Sequence, residues 1–128
     1  MSTFFCDHIH LLCNDLDAMI AFWSKGFDAQ FVESRAFGGS PGAVMELGIT
    51  AKLFLKQVEC EHADSGPSRA GMEHFGFFVP DLEAALENLL KLPNVSIAKA
   101  PFMSGTKRCC FIKGPEGILI EIMQQKAN

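Results

Sequence analysis

A single offset of 66 residues runs through the chain and constrains its fold more than any other feature. It sets Asp7-His8-Ile9-His10-Leu11-Leu12-Cys13-Asn14-Asp15-Leu16 against Glu73-His74-Phe75-Gly76-Phe77-Phe78-Val79-Pro80-Asp81-Leu82. It also pairs Gly39 with Gly105, Gly48 with Gly114 and Leu53 with Leu119. Identities are few, and what matches is the order of element types. Two copies of one supersecondary unit are the natural reading.

Each copy reads as strand, helix, then three strands. Residues 4–13 and 72–79 are apolar and rich in Phe, Ile, Leu and Val, as strands are. Asp15 and Asp81 follow where an N-cap belongs, with side-chain oxygens able to accept the free amides of a first helical turn. Leu16, Met19, Ile20 and Trp23, and then Leu82, Ala85, Leu86 and Leu89, recur at the i, i+3, i+4, i+7 spacing of one buried helical stripe. Gly26 and Pro93 mark the expected helix stops. Extended segments follow at about 29–37, 42–49 and 51–57, and again at about 95–100, 107–113 and 117–124. The polar stretch from Glu59 to Ala70, punctuated by Gly66-Pro67-Ser68, reads as a linker. The expected architecture is α+β: two tandem βαβββ modules, at about 4–58 and 71–124, within one domain spanning 1–128, with helices on one face of the sheet.

Composition excludes several function classes. At 128 residues, 48% hydrophobic and 20% charged, the chain can bury a core and is not globally disordered. A net charge of −4 with no Lys/Arg cluster argues against binding a nucleic-acid backbone. No apolar run approaches the roughly 18 residues of a membrane span, and Met1–His10, with no basic region and Asp7 already present, does not read as a signal peptide. Five cysteines make an odd count without a CxxC pair, which fits a reduced, cytoplasmic setting.

Strand parity separates residues by face. Ile9 and Leu11 share one side of the first strand, as Phe75 and Phe77 do in its repeat partner. That apolar side is the helix-packed core, so His8, His10 and His74 project from the other. In the last strand, Ile118, Ile120 and Ile122 share one face, and Glu121 stands on the other as a lone carboxylate in an apolar run. An unpaired buried carboxylate is costly and calls for a cation, a donor network or solvent. A divalent metal held by His8, His74 and Glu121 resolves all three oddities together. Two imidazoles and one carboxylate with open positions suit non-haem Fe(II), and Zn, Mn, Ni and Co accept the same donors. Taken singly, a strand-end His is ordinarily a satisfied histidine, and a Glu near a C-terminus ordinarily faces water.

These residues resemble the vicinal oxygen chelate superfamily, which includes glyoxalase I, bleomycin-resistance proteins, methylmalonyl-CoA epimerase and extradiol dioxygenases. The resemblance covers about residues 5–124 and rests on Asp7-His8-Ile9-His10 leading to Asp15-Leu16, and on Glu73-His74-Phe75-Gly76-Phe77 leading to Pro80-Asp81-Leu82. It also rests on Gly114-Pro115-Glu116-Gly117 before Ile120-Glu121-Ile122, which is similar to the family's turn followed by its metal-ligand glutamate. The resemblance implies paired βαβββ modules forming a cupped mixed sheet around a divalent metal, a small-molecule substrate and a homodimer. It implies a fourth donor at Leu55, where a leucine cannot ligate. Gln57 is the nearest substitute, and Glu46, in the third strand opposite Ile112 of the repeat, is a decoy.

The remaining His8/His74/Glu121 set is similar to the three-ligand centre of extradiol dioxygenases. The favoured expectation is a metal-dependent, dioxygenase-like enzyme acting on a small vicinal-oxygen substrate, with Fe(II) favoured and His10 as acid/base. The absence of Tyr stands against it, because extradiol sites often place one beside the metal. Alternatives are a glyoxalase-type lyase, isomerase or epimerase, and a non-catalytic small-molecule binder of the antibiotic-resistance kind. Lys107 and Arg108 are candidates to hold a substrate carboxylate or are an exposed strand edge; Cys60-Glu61-His62 reads as solvated loop.

Overall fold

The computed structural model describes residues 3–4, 6–48, 51–59 and 70–125. It divides into two compact units, Met1–Glu61 and His62–Asn128. Cys60, Glu61, His62 and most of the expected linker lie outside the described residues.

The first unit runs β1 (His8–Cys13), α1 (Leu16–Phe27), β2 (Gln30–Ser34), β3 (Gly42–Leu47) and β4 (Ala51–Gln57). The second runs β5 (Phe75–Phe78), α2 (Leu82–Leu89), β6 (Ser96–Ser104), β7 (Lys107–Lys113) and β8 (Leu119–Gln125). Each builds a four-stranded mixed sheet, in order β1-β4-β3-β2 and β5-β8-β7-β6. The first and last strands of each unit pair in parallel and the other neighbours pair antiparallel. This is the expected tandem βαβββ arrangement. A parallel pair needs a long crossover, which the helix and two intervening strands supply.

Both helices start where the sequence places them. The Asp15 carboxylate accepts from the Ala18 amide at 3.0 Å, and the Asp81 carboxylate accepts from the Ala84 amide at 3.1 Å. The cap is reinforced from the sheet: Leu16 N–H donates to Gln57 Oε1 at 3.3 Å, and Leu82 N–H donates to Gln124 Oε1 at 2.6 Å. Gln57 therefore closes a helix end. The first helix passes Gly26 and stops at Asp28, whose φ of 54° takes the left-handed turn expected of the glycine. Met19, Phe22 and Trp23 of α1 are buried with Ala43, Met45, Leu53 and Leu55 of the sheet. In the second unit Leu82, Leu86 and Leu89 are buried with Cys110, Ile112, Ile120 and Ile122. Among the described residues no helix is long and apolar enough to cross a membrane.

One detail of register changes the repeat. Gly76 lies opposite Glu121, whereas its counterpart His10 lies opposite Phe54. The offset is thus 66 in the first strands and 67 in the last. Both β2 and β6 break register once at matching places, Phe31/Glu33 and Ile97/Lys99, but β6 breaks again between Lys99 and Phe102. That second irregularity accommodates the extra residue. A one-residue slip exchanges the faces of a strand, so the expected counterpart of Glu121, Leu55, is instead a fully buried core residue. Phe54 takes the position. By the same shift Glu46, exposed on β3 beside Lys52, corresponds to Lys113 rather than Ile112.

Candidate metal centre

In the second unit, β5 delivers the backbone just after His74 into the sheet next to β8. The turn before β8 is a single 3₁₀ turn, Pro115–Gly117, in which Glu116 adopts a φ of 58° and Gly117 one of 79°. The Gly114 amide donates to the Ile118 carbonyl at 2.7 Å, which closes the turn and fixes where β8 begins. From that start, alternation buries Ile120 and Ile122 and turns Glu121 to the opposite face. There Glu121 Oε1 stands 3.5 Å from His74 Nε2. Both side chains remain reachable, with 28% of His74 and 19% of Glu121 exposed.

The other nitrogen of His74 is occupied, since Nδ1 lies 2.9 Å from Glu73 Oε1. A carboxylate at Nδ1 fixes the ring and leaves Nε2 as the free lone pair, the usual arrangement around a metal-ligating histidine. Phe111 meets the His74 ring edge-on, with centroids 5.1 Å apart. Gly76 keeps the space beside Glu121 clear, because a Cβ there would come within 3.2 Å of Met123 Cε and 3.8 Å of Glu121 Oε1. Burial first, and then the charge of Glu121, raise the thiol of the fully buried Cys109 above the ordinary cysteine range.

The first unit repeats the histidine arrangement. His8 Nδ1 lies 2.9 Å from Asp7 Oδ2, and Lys52 Nζ stands 3.6 Å from Asp7 Oδ1. The hydrogen bond with His8, followed by the charge of Lys52, holds the Asp7 carboxyl below its ordinary pKa. The equivalence fails at the last strand. Where the second unit offers Glu121, the first offers Phe54, stacked on His8 at 4.0 Å between centroids and 11° between planes. His10 lies on the same face, 4.6 Å from the Phe37 ring and 5.9 Å from that of Phe54. Desolvation first, then the charges of His8 and Lys56, lower the His10 pKa, which favours the neutral imidazole.

Of the expected site residues, the structure brings His74 and Glu121 together in one unit and places His8 and His10 together in the other. Among the described residues no group of three or more His, Cys, Asp or Glu side chains is gathered as a metal cage. The His74–Glu121 pair itself fits a cation. Two donors about 2.1 Å from one metal stand about 3.0 Å apart at a right angle and about 3.4 Å apart at the tetrahedral angle. The roles of Asp7 and Glu73 are missing from a reading centred on ligands alone. Their signal was an acidic residue directly before each of the two repeated histidines.

The description Glyoxalase/Bleomycin resistance protein/Dioxygenase superfamily belongs to a family model that matches residues 6–122. No curated protein matches the chain. Among solved structures, the chain is similar to a glyoxylase/bleomycin resistance protein/dioxygenase domain from Frankia sp. EAN1pec, at 17% identity and a TM-score of 0.81, covering 99% of this chain and 96% of that one. It is similar to a glyoxalase family protein from Bacillus cereus, at 17% identity and a TM-score of 0.80, over 99% and 97% of the two chains. The genomically encoded fosfomycin resistance protein FosX from Listeria monocytogenes, complexed with Mn(II) and sulfate, follows at 14% identity and a TM-score of 0.73, over 98% and 95%. At these identities the structures speak for the fold alone. The family match spans nearly the whole sequence, and the chain belongs to the glyoxalase/bleomycin resistance protein/dioxygenase superfamily.

Proposed function

We propose that the protein is a metal-dependent enzyme for a small vicinal-oxygen substrate, with His8, His74 and Glu121 as the donors to a divalent metal. The observation that carries this reading is the His74–Glu121 pair at 3.5 Å, with the far nitrogen of His74 tied to Glu73. A second histidine, His8, is oriented the same way by Asp7. A metal bound there supplies Lewis-acid polarisation of a chelating substrate and, as Fe(II), a position for O₂.

The chain's own residues define the rest. Phe54, in place of a fourth donor, limits the protein to three ligands and walls one side of His8 with an apolar ring. That favours the dioxygenase-like reading over the glyoxalase type, whose fourth donor is a glutamate. His10, on the His8 face between Phe37 and Phe54, accepts the substrate hydroxyl proton on a ring nitrogen and returns it to product. We read the protein as a cytoplasmic homodimer, in which the second copy covers sheet edges. Light scattering at micromolar concentration checks this, and a monomer contradicts it.

A second reading, a lyase or isomerase that consumes no O₂, is favoured by one observation: the chain contains no Tyr to stand beside a dioxygenase metal. Anaerobic reconstitution with Fe(II), Mn(II), Ni(II) or Zn(II), followed by assay of a catechol panel and an α-ketoaldehyde–thiol hemithioacetal, separates the two. Catechol turnover with O₂ uptake under Fe(II) or Mn(II) supports the first. Oxygen-independent isomerisation under Ni(II) or Zn(II) supports the second. Metal-free protein that takes up none of these ions leaves a small-molecule binder and overturns both.

A further inference from the structure

The face that carries His74 and Glu121 also carries a cation that neither the fold nor the proposed centre uses. Lys107, Cys109 and Phe111 alternate onto this face of β7, with Phe111 opposite Glu121 and Cys109 opposite Met123. The next residue, Arg108, turns the other way and pairs with Glu83 of α2. Lys107 makes no ion pair with any described residue. Its Nζ instead leans along the sheet to 4.0 Å from Met123 Sδ and 5.9 Å from the centre of the Phe78 ring. Cys109, fully buried, lies along β7 between Lys107 and the row of Glu121.

The spacing follows from strand geometry. Met123 and Glu121 are alternate residues on one face, so their rows stand about 7 Å apart. An ammonium held over the Met123 row is therefore about one row from the Glu121 carboxylate. The strip between them is apolar: Met123 and Cys109 are buried, Phe78 beside Met123 is 61% exposed, and Gly76 contributes no side chain.

We infer that Lys107, with Phe78 and Met123, forms a subsite for the anionic end of the substrate. The ligand class is a small molecule with an oxyanion, such as a carboxylate or phosphonate, about 7 Å from the oxygens that approach His74 and Glu121. Its apolar middle lies over the exposed Phe78 ring. This rests on the metal reading above and names the substrate class for it. The protein's net charge of −4 opposes anions at long range, so selection for one has to be local.

The test uses the full chain loaded with Mn(II), with catechol and 3,4-dihydroxybenzoate as probes and calorimetric titration as readout. The ring of the second probe sets its carboxylate at about the required distance from its hydroxyls. The expected result is a preference for 3,4-dihydroxybenzoate that falls about tenfold in Lys107→Met, the size of one charge-assisted contact. Catechol binding stays unchanged, and Lys107→Arg restores most of the preference. Because the carboxylate also alters the acidity of the catechol hydroxyls, the change in preference between proteins is what counts. Mn(II) uptake with the same preference in wild type and Lys107→Met overturns the subsite and leaves the metal reading standing. So does Mn(II) uptake with no binding of either probe. Protein that takes up no Mn(II), Fe(II), Co(II), Ni(II) or Zn(II) overturns the metal reading and the subsite with it.

Discussion

The His8 ring lies flat against Phe54, 4.0 Å between centroids, at the position where the second unit places Glu121. One sheet offers imidazole plus carboxylate, and the other offers imidazole plus a hydrocarbon wall. Phe54→Glu should add the missing donor and tighten Zn(II) binding, since affinity rises with the number of charged ligands, by about tenfold or more. Chelator competition measures it. Unchanged affinity in a folded variant means that this position does not face the metal.

Asp7 and Glu73 each hold a histidine Nδ1 at 2.9 Å. Asp7→Ala and Glu73→Ala should leave the far-ultraviolet dichroism intact while weakening metal binding by about 10- to 100-fold, the usual cost of losing an orienting carboxylate. Affinity equal to wild type in both variants contradicts the orienting role.

Gln57 and Gln124 accept the first amides of α1 and α2. Gln57→Leu and Gln124→Leu should each destabilise the protein by about 1 kcal/mol, because each removes a partner from a part-buried amide. Urea unfolding gives the value. Metal affinity in Gln57→Leu should not change, as its side chain is engaged at the helix end.

Cys13, Cys109 and Cys110 are buried and Cys6 is exposed. Burial raises the Cys109 and Cys110 thiol pKa values, so at pH 8 less of each is thiolate than in a free cysteine. Brief iodoacetamide treatment of native protein should modify Cys6 and spare those three until denaturant is added, as read by peptide mass spectrometry. Rapid modification of Cys109 in the native protein contradicts the buried placement.

Much of this was legible in the sequence because alternation and helical periodicity are set by burial. Alternation alone turns Ile120 and Ile122 inward and Glu121 outward, and Asp15 and Asp81 announce both helix starts. What the offset hid was a single residue. The second register break in β6, between Lys99 and Phe102, leaves no composition signal. Yet it moves every counterpart in the last strand by one, so that Phe54 and not Leu55 corresponds to Glu121. Gln57 looked like a donor because nothing local reveals that its amide oxygen reaches a helix end more than 40 residues earlier in the chain. Gly26 looked like the helix stop because Asp28 was not expected to adopt a positive φ.

The central claim is that His74 and Glu121, with His8, hold a divalent metal. Its most direct test is the metal content of untagged protein after incubation with Mn(II), Fe(II), Co(II), Ni(II) or Zn(II) and desalting, beside His8→Ala, His74→Ala and Glu121→Ala. The account predicts near-stoichiometric retention of at least one of these ions by wild type, and its loss in all three variants while their thermal unfolding stays cooperative. Wild-type protein that retains none of them, or His74→Ala and Glu121→Ala variants that retain as much as wild type, would contradict it.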